Sequence, residues 1–392
     1  MKEKKEKVKI LKNLDKPLLI ATIILIIFGT LSIVSASANE SISRYGTSIY
    51  KYFYRHIGMI SIGIIGSIII HRVHSKWYRA VGALTWVTVL GFLISLFFLG
   101  KDHRGSLNWL TIGGITIQPS EFAKPIIILS LACLFDAASK LLKEEKLGKA
   151  NFTALWFIIG IIIPGIVIIQ GDLGTGFIIT AISGIMFLAG PLDKKTKIKH
   201  ISSLAVVGVL ALSLFGLGRG YLLTAEQKER ITDFYNPCSK YEDSGYQICN
   251  CFIAINDGGL TGLGISKSKQ KYSYIPEAYT DSIFAIVIEE NGLLIGLVVI
   301  FIYFFMIWRI LKISVKTKSI KGRYIAFGVA IYLFMHVLLN LGGLLGLLPL
   351  TGVPLPLITY GGSFTISFIA AIALVQRVNI EASIDKTAKK RI

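Results

Sequence analysis

The sequence predicts an all-α integral membrane protein with about ten transmembrane helices, both termini cytoplasmic, and a large extracytoplasmic loop between helices seven and eight. Three observations carry this expectation. Apolar runs of about 18 residues or more recur along most of the chain, each enough to cross a bilayer core of roughly 30 Å. The composition is 53% hydrophobic against 17% charged, which leaves these runs without the polar face that a soluble helix presents to water. The basic residues, finally, are sorted by side of the membrane.

The spans fall near residues 17–37, 57–70, 81–99, 120–138, 151–169, 175–191, 201–217, 281–308, 324–345 and 363–376. The first follows a Lys-rich tail and ends in Ala36-Ser37-Ala38, which looks like a signal-peptidase site. Its apolar stretch is longer than an ordinary signal h-region, and keeping it preserves the charge parity, so it reads as an uncleaved anchor. Spans two and three are joined by a basic turn, 71–80, and the fourth opens at Ser120-Glu121. QGDLGTG (170–176) separates the fifth from the sixth. The seventh leads into the longest non-spanning piece, 218–280, and the eighth opens at Asp281. LPLTGVPLPLITYGGS (348–363) separates the last two.

With the N-terminus inside, 29 of the 42 Lys and Arg fall in cytoplasmic segments and 12 in outer loops, with Lys124 left within a span. The positive-inside rule therefore places both tails in the cytoplasm. The net charge of +19 is a topology signal, and it gives no reason to expect a nucleic-acid partner. Residues 17–376 form a single polytopic domain between basic tails 1–16 and 377–392, with no soluble domain and no short-period repeat.

Three outer pieces are rich in turn-formers: RGSLNWLTIGGITIQPSE (104–121), QGDLGTG and the 348–363 stretch. Pro and Gly at membrane depth are tolerated where the backbone is buried in protein or lines a cavity. Every unusual motif is on the outer side, so the chemistry faces out. Of four cysteines, Cys133 is span filler, while Cys238, Cys249 and Cys251 lie outside, where a disulfide survives. A bridge from Cys238 to Cys249 or to Cys251 is one option there, and the spacing leaves it open. No His accompanies Cys-x-Cys, so a metal site there is not expected.

Asp281, Glu277, Glu121, Lys124 and Asp172 all map to the outer ends of spans. Ionisable groups at such depth face a bundle interior or a watery cavity and mark a functional pathway. Each also has a structural reading. Glu121 and Lys124 make an i,i+3 pair at the start of a helix that Ser120 would cap. Asp172 suits a turn or cap. Glu289 and Glu290, deeper in YIPEAYTDSIFAIVIEENG (274–292), call for buried partners. Thr280 or Asp281 would serve as an N-cap, yet a carboxylate near Lys267, Lys269 and Lys271 also suits a general base. Trp109 reads as an interfacial anchor or a platform for a sugar ring. Arg230 is a solvated loop cation or a phosphate contact.

Taken together, QPSEFAK (118–124), QGDLGT (170–175), AINDGGLTGLGISKSKQKYSYIPEAYTDSIFAIVIEENG (254–292) and NLGGLLGLLPLTGVPLPLITYGG (340–362) resemble the SEDS family (shape, elongation, division and sporulation), whose members include FtsW and RodA. The pieces follow family order across nearly the whole chain. The resemblance implies a bacterial cytoplasmic-membrane glycosyltransferase. It would polymerise lipid II into peptidoglycan strands on the outer face, paired with a class B penicillin-binding protein and other divisome or elongasome proteins. It implies that Asp281 is catalytic and that Glu121, Lys124, Asp172 and Arg230 bind substrate; Trp109 and Glu277 join them as substrate-binding candidates. GISKSKQKYSYIPEA resembles the division branch more than the elongation branch, with a sporulation relative as the alternative. The sequence departs from the family pattern at Gly171 (for Pro), Tyr279 and Ser282 (for His and Phe), Asn108 (for Arg) and Phe364 (for Ser).

On this reading Asp281 takes the proton of the acceptor 4-hydroxyl, and the pyrophosphate leaving group needs positive charge or backbone N–H groups. Lys124, Arg230 and the Gly-rich turns are candidates; no cofactor is certain, and a divalent cation (Mg or Mn) is the further option. A lipid II flippase also accommodates broken helices and buried charges, and a non-catalytic scaffold for the penicillin-binding protein is the third reading. Only the enzyme needs the Asp281 carboxyl for turnover in detergent.

Overall fold

The computed structural model describes residues 13–46, 48–103, 106–112, 115–200, 202, 228, 234–235, 237–240, 245–272 and 274–389. Helices α1 (Lys16–Tyr45), α2 (Lys51–Arg72) and α3 (Tyr78–Leu99) precede a small sheet, and α4 (Pro119–Lys143), α5 (Lys149–Gly160), α6 (Ile162–Ile169) and α7 (Leu173–Ala189) follow it. Further on come α8 (Tyr246–Gly258), α9 (Ile283–Lys316), α10 (Ile320–Leu344) and α11 (Gly362–Lys389). Among the described residues, eight helical stretches are long and apolar enough to cross a membrane, with α5 and α6 counting as one, and α7 is a shorter apolar helix. Nine of the ten expected spans are thus accounted for. The seventh, 201–217, lies outside the described residues except for residue 202, and with it the count of ten and the start of the long loop.

Burial sorts these helices into a centre and a rim. The most apolar windows of α10 and α11 are 83% and 89% buried, against 17% and 22% for α2 and α3. Functional side chains at α10 and α11 are therefore enclosed by protein, whereas α2 and α3 turn most of their apolar surface outward. Small residues permit the close central packing: a Cβ at Gly328 of α10 would press on Ile128 of α4 and on Met186 of α7. On the inner side, Asp15 caps α1 by accepting from the Leu18 N–H at 3.1 Å. It also receives Arg309 of α9 at 2.5 Å, and its N–H donates to Gln376 of α11 at 2.8 Å. This clasp ties the start of α1 to α9 and to α11.

The outer segments depart from the expected helix-and-turn pattern in two places. Between α3 and α4 lies a three-stranded antiparallel sheet, β1 (Lys101–His103), β2 (Ser106–Ile112) and β3 (Ile115–Ile117), so the protein is not wholly α. β-Branched Thr and Ile in β2 and β3 suit paired strands. The eighth span is not one straight helix from Asp281. It begins at Ile283 and breaks at Gly292, whose φ of 83° and ψ of 165° lie in territory open essentially to Gly alone. The carbonyls freed before the break are taken by the preceding loop: Leu263 N–H donates to Glu289 and Gly264 N–H to Glu290, both at 2.9 Å. A short helix, 283–291, is thereby held against the outer loop before the longer helix begins its crossing.

Candidate active site

Asp281 lies in a turn, 277–282, immediately before α9. The turn starts at Glu277, a non-glycine residue with φ of 47°, and closes when the Thr280 N–H and hydroxyl donate to the Glu277 carbonyl at 2.8 and 2.7 Å. Asp281 does not cap α9; the cap position is Ser282, which makes no side-chain capping bond. The turn is fastened by its neighbours instead. The Tyr360 N–H donates to the Tyr279 carbonyl at 3.0 Å, and Asn340 Nδ2 donates to the Asp281 carbonyl at 2.7 Å. Thr280 Oγ1 also lies 3.1 Å from Asp281 Oδ1, and the Asp281 side chain remains partly exposed at the outer end of the bundle.

Beneath it lies the Glu121–Lys124 pair. Lys124 Nζ donates to both Glu121 oxygens at 2.7 Å and sits 3.1 Å from His336 Nε2. His336 Nδ1 is 3.0 Å from the Pro354 carbonyl, which can only accept. Nδ1 therefore carries the proton, and Nε2 is the lone-pair acceptor for the Lys124 ammonium. Phe364 stacks on His336 with centroids 4.7 Å apart and lies 5.5 Å from Lys124 Nζ, which gives the departure at position 364 a packing role. Glu121 and Lys124 are 2% and 1% exposed, so the pair is sealed from the outer surface in this conformation.

His336 and Asn340 stand one turn apart on α10, about 6 Å along its axis. They hold successive carbonyls of one strap: Asn340 Nδ2 also donates to Val353 at 2.9 Å, as His336 does to Pro354. One face of α10 thus joins the Asp281 turn above to the Lys124 pair below. Sequence reasoning missed both residues. Their i,i+4 spacing inside an apolar run was the available signal.

Asp172 is the N-cap of α7, accepting from the Thr175 N–H at 3.0 Å. Its other oxygen accepts from Gln118 at 2.9 Å and from Asn108 at 3.4 Å, so it ties the β-sheet to the start of α4. It is close enough to Glu121 for the two charges to interact. Trp109, next to Asn108 on β2, is partly exposed on the sheet and pairs across it with Lys101. Glu277 lines a small cavity of about 100 Å³ with Glu40, Asn39 and Lys271. Arg230 lies outside the described residues.

Lys271, one of the three lysines the sequence set near Asp281, is committed elsewhere. Lys271 Nζ is held by Glu290 at 2.8 Å and by Ser35 at 3.0 Å. Glu289 accepts from Ser268 at 2.5 Å and from the Lys269 N–H at 2.7 Å. Both submerged glutamates therefore have partners. The disulfide joins Cys238 to Cys249, leaving Cys251 as a buried free thiol on α8. Burial pushes the Cys251 thiol up to about 12; a hydrogen bond from Ser282 opposes this and the charge of Asp281 adds to it. It remains an unreactive thiol. Among the described residues no three His, Cys, Asp or Glu are grouped to hold a metal ion.

Residues 16–384 match the cell cycle protein family FTSW_RODA_SPOVE. The chain is 31% identical to the probable peptidoglycan glycosyltransferase FtsW of Bacillus subtilis, over 98% of this chain and 94% of the relative. It is equally identical, at 31%, to the stage V sporulation protein E of the same organism, over 93% and 96%. Among solved structures, it superposes with a TM-score of 0.71 and 19% identity on a chain of a peptidoglycan synthase complex described for its coordination of polymerization and crosslinking. That match covers 94% of this chain and 98% of the other.

Proposed function

The chain belongs to the FtsW/RodA/SpoVE cell cycle protein family, and from that premise we propose that it is a peptidoglycan glycosyltransferase. It polymerises lipid II into glycan strands at the outer face of the cytoplasmic membrane and serves cell division. The observation that carries this reading is the seat of Asp281. A partly exposed carboxylate stands at the outer mouth of the bundle, on a turn fixed by Asn340 and Tyr360, inside a chain that matches the family almost from end to end.

Asp281 removes the proton from the 4-hydroxyl of the acceptor N-acetylglucosamine as that oxygen attacks the anomeric carbon of the donor N-acetylmuramic acid. The new glycosidic bond forms as the anomeric carbon–oxygen bond to pyrophosphate breaks, releasing polyprenyl pyrophosphate. One carboxylate suffices because pyrophosphate leaves without the acid that a hydrolase needs. Developing negative charge on the leaving group calls for cations or aimed N–H groups. Arg230 in the outer loop is assigned to that charge, with Lys124 reaching it only when its pair with Glu121 opens. Any divalent cation arrives with the pyrophosphate. Asp172 and Trp109 shape the opposite wall from α7 and the sheet, and Glu277 lines the approach. A class B penicillin-binding protein is the partner that crosslinks the product, alongside other division proteins. The assignment to division rests on the 264–278 stretch, since the division and sporulation relatives are equally similar.

The test is strand formation from purified lipid II in detergent, with the class B partner, comparing wild type with Asp281→Ala. Polymer from the wild type and none from a folded mutant supports the transferase and the role of Asp281. Equal polymer from both removes Asp281 as the base. Polymer from neither, with the complex verified, shifts the reading to a flippase or a scaffold.

A further inference from the structure

The turn that carries Asp281 has no helical ladder of its own, since α9 starts only at Ile283. Its direction must come from tethers, and a general base a fraction of an ångström out of place is a poor one. Two of those tethers are side chains of residues that flank Asp281, and they reach opposite walls of the bundle.

On one side Tyr279 is 4% exposed and packed against Tyr52 and Tyr360, with ring centroids 4.4 and 5.6 Å away. Packing alone would be met by a phenylalanine. The hydroxyl does more: it lies 3.1 Å from Glu40 Oε1, on the outer end of α1, and 3.0 Å from the Tyr52 hydroxyl. Tyr279 donating to the carboxylate and Tyr52 donating to Tyr279 uses each proton once. On the other side Ser282, fully buried, accepts from Gln247 Nε2 at 3.0 Å. Gln247 sits on the first turn of α8, two residues before Cys249, whose disulfide to Cys238 anchors that turn to Pro237–Lys240.

We propose that Tyr279 and Ser282 are positioning residues that clamp the Asp281 turn between α1 and α8, and so set the carboxylate for proton abstraction. The proposal rests on the transferase reading and goes beyond it by assigning work to the two residues in which this chain departs from the family pattern around Asp281. Replacing the usual side chains with two hydroxyls makes sense if each gains a partner, and each does. The clamp also gives Glu40 its role: a half-buried carboxylate oxygen that receives a phenol at the edge of the site.

The experiment measures kcat and KM for lipid II, with the class B partner, in wild type, Tyr279→Phe, Glu40→Gln, Glu40→Leu, Ser282→Ala and the double Tyr279→Phe/Glu40→Leu. Tyr279→Phe keeps the ring and loses the tether; kcat falls about tenfold with KM within about twofold. Glu40→Gln retains an acceptor oxygen and keeps at least about half the wild-type kcat, whereas Glu40→Leu falls as far as Tyr279→Phe. The double variant falls no further than either single one, because both remove the same bond. Ser282→Ala lowers kcat without raising KM. Wild-type kcat in both Tyr279→Phe and Ser282→Ala overturns the proposal, as does a loss carried wholly by KM or a double variant whose losses multiply. Polymer that depends on Asp281 but not on Tyr279 or Ser282 removes this inference alone. Absence of polymer from the wild type removes the transferase reading with it. Thermal midpoints within a few degrees of wild type confirm that the variants are folded.

Discussion

Asn340 donates to the carbonyl of Asp281 at 2.7 Å, and the same amide nitrogen donates to the carbonyl of Val353 at 2.9 Å. Two acceptors on one nitrogen fix which way the amide faces and fasten the Asp281 turn to the strap that follows α10. Asn340→Leu leaves both buried carbonyls without this donor, at a cost of about 2 kcal/mol in stability. Asn340→Asp keeps the shape but sets a carboxylate oxygen against two carbonyls, and loses more. Thermal unfolding in detergent ranks them wild type, Leu, Asp, and lipid II polymerisation follows the same order.

Lys124 and Glu121 are paired where neither reaches solvent, so removing one partner strands a buried charge. Lys124→Met or Glu121→Leu alone costs about 3–5 kcal/mol, whereas Lys124→Met/Glu121→Leu recovers much of that loss. The activity of the double variant then separates two roles. Recovery of both stability and polymerisation makes the pair structural; recovery of stability alone shows that the charges are used on substrate.

The apolar runs made the bundle legible, because span length and charge asymmetry are one-dimensional signals. The turn residues made the mouth of the site legible in the same way: Asp172 caps α7 and Glu121 pairs with Lys124 as spacing suggested. What could not be read was long-range. His336 and Asn340 sit in a run whose apolar character hides them, and their importance comes from the strap that folds back onto α10. The pairing of β2 with β3 was not read because its signal is local and weak beside the spans. The choice between Cys249 and Cys251 was undetermined by spacing. It is decided by α8, where residues two apart on a helix point to different sides, Cys249 toward Cys238 and Cys251 toward Ser282.

That geometry makes a chemical count. Protein denatured without reductant alkylates at Cys133 and Cys251 only, and at all four cysteines after reduction. Peptide mapping by mass spectrometry checks the pairing directly. Cys238→Ser releases the Pro237–Lys240 turn from α8 and lowers stability by up to about 3 kcal/mol, the scale for a loop of this length.

Tyr279 makes the stability depend on alkaline pH. Burial first, with the charges of Glu40 and Glu277 adding to it, holds its phenol well above the ordinary 10.0. A group whose folded pKa is raised contributes stability that is complete below its unfolded value and is lost as pH climbs past it. Wild type is therefore more stable than Tyr279→Phe up to about pH 10, and the gap narrows above that. Thermal midpoints across an alkaline series, with the two proteins side by side, show the convergence; a gap that widens above pH 10 contradicts it.

Gly292 is the position where the eighth span can least tolerate a side chain. Its φ and ψ are open essentially to Gly, and a Cβ there would run into the backbone of Leu260, Thr261 and Gly262. The break also delivers the Glu289 and Glu290 carbonyls to the N–H groups of Leu263 and Gly264, and it ends the short helix whose other end follows Asp281. Gly292→Ala therefore has two costs at once, backbone strain and the loss of loop-to-helix hydrogen bonds, together more than about 3 kcal/mol. Gly91, where a Cβ would meet nothing within 4 Å, is the control: Gly91→Ala on the lipid-facing helix α3 leaves the midpoint unchanged or raises it. Because the loop 259–264 and the Asp281 turn are joined through helix 283–291, Gly292→Ala lowers polymerisation even in whatever fraction remains folded. A Gly292→Ala protein with wild-type midpoint and rate would show that the break is incidental to the site.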